Sequence, residues 1–183
     1  YIANKISRNV YLLRNLSNNV DCEVLKIAYF ALVQAHLTYG ILIWGHSSAI
    51  YKLFRLQRRA IRIIANLGYR DDCKSYFKTL NILTLPSLYI YHSLKYILLE
   101  IVSFPTLSSF HDYHTRSADL SIEYWRISRC RNAINYYCIL FFNKLPLSYR
   151  QLSSKEALRK IKSFLMANAF YSINEYLEYN FSL

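Results

Sequence analysis

Two adjacent carboxylates, Asp71 and Asp72, follow Tyr69-Arg70. Paired carboxylates in a tight hairpin between apolar strands, joined by a third Asp from upstream, hold two Mg²⁺ ions for phosphoryl transfer. The flanks here do not fit that use. Gly68 reads as the end of one helix and Cys73 as the start of another, and the only upstream Asp is Asp21, at a helix mouth. The pair is expected to supply the N-cap and first turn of a helix over Cys73–Leu80, where carboxylates meet unpaired N–H groups. His111, His114, Cys130 and Cys138 can be written as a zinc set, but their spacings are not those of a finger or knuckle. No Gly-rich phosphate loop or nucleophile elbow is present. Cys22, Cys73, Cys130 and Cys138 are widely spaced and read as reduced thiols of an intracellular protein.

What remains with chemistry to offer is a row of cations. Tyr51 to Leu67 reads as one amphipathic helix. At about 100° per residue, Leu53, Leu56, Ala60, Ile63, Ile64 and Leu67 gather on one side. Lys52, Arg55, Arg58, Arg59 and Arg62 fall on another, with no acid among them. Ser47 or Ser48 is expected to cap the start, and Gly68 to end it in a left-handed conformation. Such a ladder suits a polyanion; it also fits an ordinary solvated face, although the acidic partners of such a face are missing. Arg116, in His111-Asp112-Tyr113-His114-Thr115-Arg116, is a further phosphate candidate, the alternative being a loop tied by its own polar groups. The 18 tyrosines are expected mostly as half-buried packing residues with wet hydroxyls, stacking on unpaired bases being the other use.

Helices must position these side chains. Only 3 Gly and 3 Pro in 183 residues leave little punctuation for short strands, and 54% hydrophobic residues suffice for a core. The balance of 23 Lys+Arg against 11 Asp+Glu, a net +12, points to nucleic acid first and an anionic membrane surface second. Helices are expected over Ile2–Leu16, over Cys22–Tyr39, turning at Gly40 into the Ile41–Trp44 stretch, and from Pro86, capped by Thr84 or Leu85, to about Ser103. Others follow over Cys130–Asn143, from the Ser153/Glu156 capping box to about Ala167, and over Tyr171–Tyr179. The uncharged run Ile27–Tyr51 is long enough to span a membrane, but Gln34, His36, Thr38, Gly40, Gly45 and His46 favour a buried core helix, with Trp44 buried beside it. The fold class is all-α: a helical bundle over 1–104, a linker over 105–118 and a smaller helical extension over 119–183. Residue 1 is Tyr and the only Met is Met166, so a processed product or a piece of a longer chain is expected; no signal peptide is visible.

Several runs carry a family resemblance in order. They are Ala31–Gly40 (ALVQAHLTYG), Ile43-Trp44-Gly45, Leu56–Ile64 (LQRRAIRII), Phe77–Pro86, His111–Arg116, Phe142–Pro146 and Ala169–Leu177. The set resembles the region after the palm in reverse transcriptases of jockey-type non-LTR retrotransposons, and covers nearly the whole chain. The resemblance implies a helical thumb and C-terminal extension of an RNA-directed DNA polymerase, nuclear if part of an active element. Fingers and palm are missing, so no catalytic residue is expected in this chain, and Mg²⁺ only in the absent palm. The implied partners are an RNA–DNA or DNA duplex backbone and the parent palm, with no membrane and no small-molecule substrate. Lys52, Arg55, Arg58, Arg59 and Arg62 are the implied grip, with Arg116 beside them. The zinc knuckle that some relatives carry at the C-terminus is not present. A helical protein-interaction or membrane-surface module is the alternative.

Overall fold

The computed structural model describes residues 1–101, 104, 119–122 and 134–181, and every regular element among them is helical. Helix α1 (Ile2–Leu16) buries Ile6, Val10 and Leu13, one stripe at helical spacing. Asp21 then caps α2 (Cys22–Tyr29) by accepting the Val24 N–H at 3.0 Å. The straight helix expected over Cys22–Tyr39 is interrupted by a π turn, Phe30–Gln34, before α3 (Ala35–Thr38). Its cause lies in the spacing of the core residues. Leu25, Tyr29, Val33 and Leu37 are all buried and four apart, a pattern that drifts about 40° per step on a regular α-helix. One extra residue in a π turn swings the line back toward the core. The loosened carbonyls find side-chain donors: Asn9 of α1 donates to Leu32 O, and Thr38 Oγ1 to Gln34 O.

Gly40, at φ +62°, supplies the left-handed turn into α4 (Ile41–Trp44). Trp44 is not buried as expected. It lies half-buried at the edge, its Nε1 donating to Tyr39 O at 2.9 Å. The fully buried aromatics are instead Tyr29, Phe77, Tyr89, Phe141, Phe170 and Tyr176, so three tyrosines serve as core rather than as half-wet packing.

The chain continues through α5 (Ala49–Ile64) and α6 (Lys74–Thr79) to α7 (Leu85–Leu99). Thr84 caps α7 by accepting the Ser87 N–H, with Pro86 in the first turn, and the helix stops at Leu99, short of the expected Ser103. Beyond the linker come α8 (Ile134–Lys144), α9 (Leu147–Arg150), α10 (Ser154–Asn168) and α11 (Ile173–Glu178). Ser153 opens α10 by accepting the Glu156 N–H, and Ala169 at φ +46° closes it.

Helix α7 is the hub: α4, α5, α8, α10 and α11 all pack on it, and α1 lies along α5. One contiguous apolar core draws side chains from both sides of the linker. Polar contacts join the same parts. Thr84 donates to Phe170 O, Ser154 Oγ to Leu98 O at 3.1 Å, and Tyr176 OH to Phe141 O at 3.2 Å. Asp119 and Leu120 are pinned to the end of α8. Asn143 exchanges two 2.9 Å bonds with the Leu120 backbone. Arg150 bonds Asp119, Leu145 O and Asn143 O, with its guanidinium 5.2 Å from the Phe142 ring. Residues 105–118, with His111, His114 and Arg116, lie outside the described residues, as does Cys130.

Candidate nucleic-acid interface

Helix α5 buries Ile50, Leu53, Phe54, Gln57, Ala60, Ile61 and Ile64. That face is turned roughly 70° from the expected one at 100° per residue, leaving Leu56, Ile63 and Leu67 only half-buried. Gln57, with no exposed surface, fixes the rotation. Its Nε2 donates to Tyr29 OH (2.8 Å) and Leu83 O (2.9 Å), while its Oε1 accepts the Leu85 N–H (2.7 Å). Tyr29 OH in turn donates a hydrogen bond to Gln34 Oε1 at 2.8 Å. Burial, opposed by the Gln57 bond, raises the Tyr29 phenol above its usual range, so it stays a donor. A buried amide used on both ends ties α5 to α2 and to the entry of α7.

The rotation sorts the predicted cations. Lys52, Arg55 and Arg59, spaced i, i+3, i+7, are exposed opposite the buried line. Neither ion pair among the described residues, Lys74–Glu175 nor Arg150–Asp119, involves them. Arg58 and Arg62 do not stand in that row. Arg58 is half-buried, its guanidinium 5.1 Å from the Phe54 ring and 5.8 Å from the Tyr171 ring, and its buried Nε has no hydrogen-bond partner among the described residues. Arg62 donates from Nε to Asp71 O at 2.8 Å, clamping the loop after its own helix. Two of the five cations thus lean on the protein, because the flank they occupy faces the 68–72 loop and Tyr171.

The paired carboxylates work locally between two helices. Asp72 accepts the Lys74 N–H at 3.1 Å at the mouth of α6. Asp71 does not cap α6; its carboxylate turns back to accept the Gly68 N–H at 2.8 Å. Helix α5 also ends earlier than expected, at Ile64, and Asn66 at φ +51°, not Gly68, takes the left-handed position. Ser48 occupies the N-cap without a side-chain bond. Among the described residues, no three His, Cys, Asp or Glu side chains are grouped to hold a metal. Cys22, Cys73 and Cys138 are unpaired thiols, and burial pushes Cys138 up to about 11.

A second basic face went unnoticed in the sequence. Helix α10 buries Ala157, Ile161 and Leu165 and exposes Lys155, Arg159, Lys160 and Lys162. Its spacing was there to be read; Glu156, an acid in the same segment, is spent on the Ser153 hydroxyl at 2.8 Å. Fold and site together define an all-α protein presenting a cationic helix locked in rotation by a buried glutamine. No protein-family model, curated protein or solved structure matches the chain.

Proposed function

We propose that this chain is a nucleic-acid-backbone grip: the thumb and C-terminal part of a non-LTR retrotransposon RNA-directed DNA polymerase, without polymerase chemistry of its own. The family rests on the ordered resemblance of its sequence runs. The backbone-binding reading is carried by one observation, the exposed row Lys52, Arg55 and Arg59 on an anchored helix, without an ion-pair partner among the described residues. Over seven residues an α-helix rises about 10 Å. That is about three nucleotide steps of axial rise along one strand, a span of four phosphates, so each of the three cations can meet a phosphate of that strand. Phosphate contacts need charge and position rather than base-reading geometry. Any Mg²⁺ would belong to a palm outside this chain.

The test is affinity for a short RNA–DNA duplex across a salt series, beside a Lys52→Ala/Arg55→Ala/Arg59→Ala variant. Loss of three phosphate contacts lowers the salt slope by about 2.7. An unchanged slope in a folded variant refutes the grip.

A second reading draws on a different surface. Val24, Ile27 and Phe30 along α2 and the π turn are 47%, 68% and 42% exposed, an apolar face that suits a protein partner or a membrane surface. Among the described residues no helix is long and apolar enough to cross a membrane. Self-association or vesicle partition independent of nucleic acid, abolished by Ile27→Asp, would favour this reading.

A further inference from the structure

Between the end of α9 and the outer side of α10 lies an open cleft of about 470 Å³, lined by Tyr149, Arg159, Lys160, Ser163, Phe164 and Ala167. Its floor is aromatic and held in place. Phe164 stacks on Phe181 at 4.9 Å and meets Tyr179 edge-on at 5.2 Å, while Tyr149 packs edge-on against both Phe164 and Phe181 at 6.4 Å. Arg159 and Lys160, both exposed, stand at its rim, and the lining contains no carboxylate among the described residues. The Ser163 hydroxyl donates to Arg159 O at 3.1 Å and keeps its acceptor side.

An aromatic corner, Tyr149 set at 69° to Phe164, beside paired cations matches a ligand that is aromatic at one end and anionic at the other. We infer that this cleft takes a nucleotide of an unpaired nucleic-acid strand, its base on the Tyr149–Phe164 floor and its phosphate on Arg159 and Lys160. Openness selects the strand over a free nucleotide: a small-molecule site encloses most of its ligand, whereas a shallow platform lets a chain enter and leave. The inference rests on the duplex-grip reading of α5, extending that grip to the single strand beyond the duplex end.

The test compares a blunt RNA–DNA duplex, the same duplex with a single-stranded tail, and one with an abasic tail of equal length and charge. The tail strengthens wild-type binding about fivefold or more, the lower end for one stacked base. Arg159→Ala/Lys160→Ala removes that gain. Lys155→Ala/Lys162→Ala, with the same charge change on helix positions outside the cleft, keeps it, and the abasic tail lacks it. An abasic tail that binds as well as the normal one, or equal loss in both double variants, overturns the cleft. Failure of the α5 reading looks different: blunt duplex bound equally by wild type and the Lys52/Arg55/Arg59 alanine variant. The tail strand alone, in normal and abasic form, then judges the cleft by the same criteria.

Discussion

Replacing Gln57 by Leu keeps the volume and removes the hydrogen bonds. Tyr29 retains Gln34 as its acceptor, so that hydroxyl stays paired. The Leu83 carbonyl and the Leu85 N–H lose the partners that Gln57 provides, in a setting where Gln57 has no exposed surface. At about 1–3 kcal/mol for each orphaned buried group, the loss is about 2–6 kcal/mol. For a chain of this length the lower figure alone shifts Tm by about 4–8 °C. Urea unfolding followed by circular dichroism measures it directly, with Arg59→Ala as a control on the solvent side of the same helix. A Gln57→Leu protein within about 0.5 kcal/mol of wild type at unchanged m would refute the claim that this amide locks the rotation of α5.

The other predictions use the same fold. Arg59→Ala leaves stability within about 0.5 kcal/mol and weakens duplex binding at low salt, whereas Arg58→Ala costs about 0.5–2 kcal/mol through its lost ring contacts; equal effects on Tm would erase the distinction between them. Gly45→Ala drives a methyl into Cδ2 of Tyr89, a ring wedged against Tyr137 and Phe141, and lowers stability by about 1–3 kcal/mol in the same unfolding assay. Glu175 gives a pH signature. Burial opposes its ionisation, but the bonds from Lys74 Nζ and the Tyr171 N–H prevail and hold its carboxyl below the usual range. The folded pKa is depressed, so its contribution is present above the ordinary carboxylate pKa and is lost as pH falls through the folded value. Urea midpoints between pH 7 and pH 3 drop less in Glu175→Gln than in wild type; parallel drops would show that the carboxylate is not coupled to folding.

Local chemistry made much of this molecule readable. Asp21, Thr84 and Ser153 each accept an N–H three residues ahead, a bond the backbone geometry of a helix start makes almost independent of distant contacts. Apolar periodicity and scarce Gly and Pro announced an all-α chain, and the single-signed cations on α5 marked the candidate interface. What the sequence left open was which of several apolar faces turns inward. Phe54 and Ile61 are no more apolar than Leu56 and Ile63, and only the packing of α1, α2 and α7 on α5, pinned by the Gln57 bonds, decides between them. That choice put polar Gln57 in the core, left Lys52, Arg55 and Arg59 in solvent, and folded Arg58 and Arg62 back onto Tyr171 and the 68–72 loop. The π turn in α2–α3 and the half-exposed Trp44 have the same origin. Composition and capping act through near neighbours and can be read along the chain; facing, rotation and burial are set by residues far apart in sequence, and the tertiary structure alone brings those together.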